Sequence, residues 1–192
     1  RRRVQRLESH LEPPTYSELL GVESQLEEAR ALIEADTEPW ILSVEGMGGI
    51  GKTALADALA RQVAYSTSFY SLAWITTRRS CFQLPQDAAT KRDRVELSLG
   101  DILNTLVDQF DLTDLENCSE YEKQNGVRSY LKSHQCLVVI DNLETIENYW
   151  GLIPHIRELA MPSKFLITTR CSLQGLSGIY IQKLEGLSLS DS

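Results

Sequence analysis

The string GMGGIGKT, Gly46 to Thr53, constrains the fold more than any other stretch of the chain. It fits G-x-x-x-x-G-K-[ST] completely, and its flanks supply the setting that pattern requires. Before it stands the short apolar run Trp40-Ile41-Leu42-Ser43-Val44, which reads as a strand. After it comes Ala54-Leu55-Ala56-Asp57-Ala58-Leu59-Ala60, a strong helix former. A strand, a glycine loop and a helix in that order make a cradle for a polyphosphate. Successive backbone N–H groups must turn inward around the phosphates, and this demands angles and a closeness of approach that side chains would block. The helix starting near Lys52 adds the positive end of its dipole. Gly46, Met47, Gly48, Gly49, Ile50, Gly51, Lys52, Thr53 and Ala54 are then the cofactor-binding residues. Lys52 is expected to reach the β- and γ-phosphates, and the Thr53 hydroxyl to hold Mg²⁺.

Periodicity places the remaining elements. Val4 to Leu11 reads as a short helix stopped by Pro13-Pro14, and YSELLGVESQLEEARALIEA restarts at helical spacing with Leu26, Ala29, Leu32 and Ile33 as its buried face. Phe69 to Ile75 is rich in aromatic and apolar residues and reads as a strand. Ile102, Leu103, Leu106, Val107 and Phe110 mark one helix, and Val127, Tyr130 and Leu131 mark another. Leu137 to Ile140 reads as a buried strand, Trp150 to Leu159 as a helix, and Phe165 to Thr168 and Ile179 to Ile181 as two further strands. Five strands alternating with helices predict an α/β fold, a parallel sheet covered on both faces.

A chain of 192 residues accommodates one domain and a short appendage. Residues 1–19 are read as a linker helix and Pro-containing connector from an upstream domain, and residues 20–192 as the nucleotide-binding domain. The first residue is Arg, which points to a piece of a longer protein. A net charge of -8 and a pI near 4.9 make nucleic acid a poor partner for this domain. Arg1-Arg2-Arg3 with Arg6 reads as a solvated helix end. Cys81, Cys118, Cys136 and Cys171 form no C-x-x-C pair, and His10, His134 and His155 match no metal-ligand spacing. No apolar run approaches the ~18 residues of a membrane span. Together these features favour a cytoplasmic protein with reduced thiols.

A phosphate loop needs a carboxylate at the end of another buried strand, to hold Mg²⁺ through water. CLVVIDNLE supplies Asp141 directly after four apolar residues. The next position, where many ATPases carry a water-polarising carboxylate, is Asn142, which can orient water but cannot accept its proton. Glu144 substitutes only if the turn swings it inward; a solvent-facing or helix-start Glu is the commoner outcome. Binding is therefore expected, with slow hydrolysis. Thr90-Lys91-Arg92-Asp93 matches the [NT]-K-x-D pattern of guanine recognition, but it precedes the Asp141 strand and follows no apolar run. It reads as a solvated charge cluster, so adenine is the expected base.

Taken together, these motifs resemble the NB-ARC group of STAND ATPases, the nucleotide switch of plant resistance proteins, apoptotic protease-activating factors and many bacterial regulators. The likeness runs from Leu20 to Ser192. LLGVESQLEEARALI resembles the opening L-V-G-R-E segment, GMGGIGKTALA the phosphate loop, and FYSLAWITT the second strand. CLVVIDNLE resembles the Walker B strand in a bacterial flavour, SKFLITTR the sensor strand, and IQKLEGLSLSDS the approach to the helical lid. The resemblance implies a three-layer P-loop NTPase with strand order 5-1-4-3-2. It implies adenine held largely by backbone groups of Leu20, Gly21 and Val22, where Val22 replaces the usual Arg. It also implies that lid, winged-helix, sensor and effector domains lie outside these residues, and that the fragment alone holds nucleotide less tightly than its parent.

ITTR occurs twice, as Ile75 to Arg78 and Ile167 to Arg170. With the sensor strand between the phosphate-loop and Walker B strands, Arg170 faces the γ-phosphate and can read the nucleotide state. Arg78 ends a strand too far out to do so. The leading expectation is a switch, bound to ADP at rest and to ATP as a homo-oligomer when activated. The alternatives are an AAA+-like motor or loader whose turnover is the output, and a nucleotide-free scaffold. Asn142 argues against the motor, and intact Lys52, Thr53 and Asp141 argue against the scaffold.

Overall fold

The computed structural model describes residues 11, 13–14, 16, 21–66, 68–76, 98–146 and 148–185. Helix α1 spans Glu23–Glu34, after Gly21 in the left-handed region at φ 74. Strand β1 is Ile41–Glu45, one residue later than the apolar run alone indicates, and α2 is Lys52–Tyr65. Then come β2 (Ser71–Thr76), α3 (Leu99–Gln109), α4 (Glu120–Ser133), β3 (Cys136–Asp141), α5 (Tyr149–Leu159), β4 (Lys164–Thr169) and β5 (Ile179–Lys183). The expected helix at Val4 to Leu11, Cys81 and the Thr90 to Asp93 cluster lie wholly or mostly outside the described residues.

The five strands form one parallel sheet in the order β2-β3-β4-β1-β5, the order the resemblance implied. Alternation along each strand sorts its side chains to two faces. Val138 and Ile140 of β3 join Phe165 and Ile167 of β4 under α3, α4 and α5, against Ile102, Leu106, Leu131 and Ile153. Leu137, Val139 and Leu166 point the other way, onto Leu55, Leu59 and Val63 of α2 and onto Ala29 and Ile33 of α1. The central strands are thus buried on both faces, which is why they read as unbroken apolar runs. Of the face predicted for α1, Ala29 and Ile33 are fully buried while Leu26 and Leu32 pack at its margin.

Two helices start with reciprocal caps. Ser98 Oγ accepts from the Asp101 N–H while the Asp101 carboxylate accepts from the Ser98 N–H, and Ser119 and Glu122 repeat the arrangement. Each box satisfies two orphan N–H groups that a helix start leaves open. Because all five strands run the same way, β1, β3 and β4 end at one edge, and the loops that follow them converge there.

Candidate functional site

The loop after β1 has the backbone that its glycines permit. Gly49 and Gly51 lie at φ 81 and 102, in the left-handed region, and Gly51 caps α2. Gly46 is needed for a different reason: a Cβ there would sit 2.6 Å from the Leu184 carbonyl oxygen at the end of β5. Lys52, the first residue of α2, is 6% exposed, and its ammonium donates to the carbonyls of Gly46 and Met47, both at 2.8 Å. Burial holds its pKa below the ordinary lysine value; Glu144 and Asp141 pull it up and Arg170 pushes it further down.

Thr53 and Asp141 are 88 residues apart in sequence, yet the Thr53 hydroxyl donates to Asp141 Oδ1 at 2.8 Å. Asp141 is 2% exposed and fully engaged. Oδ1 also accepts from the Thr168 hydroxyl at 2.6 Å, and Oδ2 from the Asn142 amide at 2.8 Å. Thr168 in turn accepts from the Asn142 N–H at 2.9 Å. This fixed carboxylate beside the loop hydroxyl has the donor chemistry to hold a hydrated Mg²⁺ together with Thr53. Asn142 is in the left-handed region at φ 61, and its side chain is turned back onto Asp141.

Glu144 corrects the expectation of a solvent-facing side chain. It lies in a 3-10 turn, Leu143–Thr145, and its side chain is only 12% exposed. The left-handed step at Asn142 redirects the chain so that Glu144 meets the end of β4. There its Oε1 is 3.0 Å from Arg170 Nε, and its Oε2 accepts from the Arg170 N–H at 3.1 Å. Arg170 lies over the phosphate loop: a Cβ built on Gly48 would be 3.1 Å from its Cζ and Nη1. The other copy of the tetrapeptide begins in β2. Thr77, Arg78 and Arg79 lie outside the described residues, but β2 is separated from β1 by β3 and β4, about 14 Å at ordinary strand spacing.

Among the remaining expected contacts, Leu20 lies outside the described residues, while Gly21 and Val22 lead into α1, with Val22 packed against the core beneath α1 and α2. Met47 is 78% exposed, and Ile50 packs inward against the α2 side of the sheet. Two participants had no sequence reading. Thr168 stands beside Asp141 because Ile140 and Ile167 are register partners, so the strand order together with a polar residue just past that pair would have found it. Glu45 ends β1 5% exposed, its Oε1 accepting from the Leu173 N–H at 2.7 Å; a lone Glu after an apolar run carries no such signal.

Residues 22–178 match the NB-ARC domain. The chain belongs to the NB-ARC family. Its relatives include disease resistance protein RPP8 of Arabidopsis thaliana, 30% identical over 172 residues, which covers 88% of this chain and 17% of that protein. Probable disease resistance protein RXW24L of the same plant is 25% identical over 184 residues, 92% of this chain and 18% of its own length. The chain therefore spans less than a fifth of these relatives. Among solved structures, the Aeropyrum pernix ORC2 protein (ADPNP-ADP complexes) aligns at TM-score 0.55 with 15% identity, covering 94% of this chain and 51% of that one. Drosophila ORC bound to AT-rich DNA and Cdc6 aligns at TM-score 0.56 with 12% identity, covering 85% and 54%. Those likenesses place the NB-ARC fold beside that of the ORC proteins. No described helix is long and apolar enough to cross a membrane, and no group of three or more His, Cys, Asp or Glu among the described residues forms a metal-binding cluster.

Proposed function

We propose that this NB-ARC domain is an adenine-nucleotide switch that binds ATP or ADP with Mg²⁺, hydrolyses slowly and governs nucleotide-dependent oligomerisation in a signalling regulator. The observation that carries the reading is the 2.8 Å bond between Thr53 and Asp141, which joins the loop hydroxyl to the strand-end carboxylate where the metal of a nucleotide complex is needed. Lys52 and Arg170 are the cations for the terminal phosphates, and bound Mg²⁺ supplies charge neutralisation. Slow turnover follows from Asn142, whose amide is spent on Asp141, and from Glu144, whose oxygens are engaged by Arg170. Gly21 and Val22, with Leu20, are proposed to meet the adenine through backbone groups.

Resistance-protein relatives support an immune or defence role, carried out with lid, winged-helix, sensor and effector domains in the longer protein. Cys118, Cys136 and Cys171 are unpaired thiols, which supports a reducing, cytoplasmic setting. The second reading is a motor or loader whose turnover is the output; the likeness to ORC proteins is one of fold alone. Calorimetry with ATP and ADP, with and without Mg²⁺, and steady-state phosphate release separate the two. The switch reading expects binding of both nucleotides with turnover far below the ~10 s⁻¹ typical of enzymes. Turnover on the order of 1 s⁻¹ or faster would overturn it, and binding of neither nucleotide would leave a scaffold.

A further inference from the structure

Glu144 is expected to face solvent or a helix start unless its turn swings it inward; the turn does swing it inward, and the carboxylate meets Arg170. Its turn is tightly made. The Thr145 N–H and hydroxyl both donate to the Asn142 carbonyl, at 3.0 and 2.8 Å, and Leu143 beside it is fully buried. The carboxylate is therefore presented by a fixed piece of backbone, and both its oxygens face Arg170.

The choice of donors is informative. Glu144 Oε2 accepts from the Arg170 backbone N–H, while Oε1 stands 3.0 Å from Nε as an ion-pair contact without a hydrogen bond. Nη1, part of the terminal fork suited to phosphate oxygens, lies over Gly48 in the phosphate loop. Arg170 itself is 57% exposed, so without an anchor its side chain would sample many rotamers. An unanchored arginine would have to give up rotamer freedom on meeting a ligand. Lys52 also feels the charge of Glu144, which raises its pKa against the effect of burial.

We propose that Glu144 is a positioning residue. It holds the Arg170 guanidinium with its terminal nitrogens over the phosphate loop, and so sets how well the domain tells a nucleoside triphosphate from a diphosphate. The proposal rests on the reading that the loop binds nucleotide. It separates Glu144 from water activation, because a carboxylate bonded to a backbone N–H through Oε2 and ion-paired with a guanidinium through Oε1 is a poor proton acceptor.

The test is titration of ATP and ADP, each with Mg²⁺, against wild type, Glu144→Ala, Glu144→Gln, Arg170→Ala and the double Ala variant, with phosphate release followed in parallel. Thermal melts identify any variant that fails to fold; Glu144→Gln, which preserves shape and one acceptor oxygen, provides the second reading. Glu144→Ala is expected to lower the ATP-to-ADP affinity ratio about tenfold and to leave ADP affinity within about twofold. Glu144→Gln should restore most of the ratio, and Glu144→Ala should add nothing on the Arg170→Ala background. An unchanged ratio overturns the proposal. A rise in ATP affinity also overturns it, by making Glu144 a counter-ion that phosphate must displace. Loss of turnover at an unchanged ratio overturns it in favour of a base. If folded wild type binds neither nucleotide, the nucleotide reading itself fails, a result distinct from binding with an unchanged ratio.

Discussion

Replacing Thr168 with Val removes a hydroxyl that donates to Asp141 and accepts from the Asn142 N–H, so two buried groups lose a partner. The expected cost is about 1–3 kcal/mol of stability, read from denaturant titration, together with weaker Mg²⁺-dependent nucleotide binding. Lys164 makes the same argument more strongly. Its side chain is wholly buried, and its ammonium donates to the carbonyls of Leu32, Thr37 and Pro39 at 3.1, 2.6 and 2.8 Å, above the Trp40 ring. Lys164→Met keeps the stem but orphans those acceptors, and is expected to destabilise by about 3 kcal/mol without touching the loop. Lys164 was illegible in the sequence because lysines are almost always exposed, and nothing local announces three waiting carbonyls. Asp141 and Lys52 were legible, since their chemistry is tied to a spacing. For the two ITTR arginines the expected contrast is sharp: Arg170→Ala weakens ATP relative to ADP, and Arg78→Ala leaves both affinities nearly unchanged in the same titration.

At the level of elements, the sheet was readable because period and composition agree in every strand, and order followed once the loop and Asp141 were tied to a known arrangement. What escaped was the handling of its edge. Among the described strands β2 lies at one edge of the sheet, and there the Trp74 N–H and C=O bond to a side chain. Gln109, the last residue of α3, closes both: its Oε1 accepts from the Trp74 N–H at 2.8 Å and its Nε2 donates to the Trp74 carbonyl at 2.9 Å. A side-chain amide thus stands in for one residue of a missing strand, which blunts the edge against pairing with another chain. Gln109→Ala should cost about 1–2 kcal/mol and increase self-association, measured by light scattering at elevated concentration. Spacing in the sequence could not show this pairing, because residues 74 and 109 are joined only through the packing of α3 on the sheet.

For the molecule as a whole, burial sets a chemical boundary that pH can probe. Cys136 begins β3 fully buried, and burial pushes its thiol from 9.0 up to about 12. A folded pKa above the unfolded one means that stability is fully present below about pH 9 and is lost as pH rises through 12. The stability gap between wild type and Cys136→Ala should therefore hold constant up to pH 9 and narrow above it, as thermal melts across that range would show. At neutral pH, alkylating reagents should reach Cys136 only after unfolding. Gly46 carries a further consequence for the assembled fold. The Leu184 N–H donates to Glu45 at 2.7 Å, and the Leu184 carbonyl fills the space a side chain on Gly46 would take. The end of the last strand and the root of the phosphate loop are therefore pinned together like two leaves on one hinge. Displacing the backbone at Leu184 is therefore expected to disturb the root of the loop, with no contact to nucleotide needed.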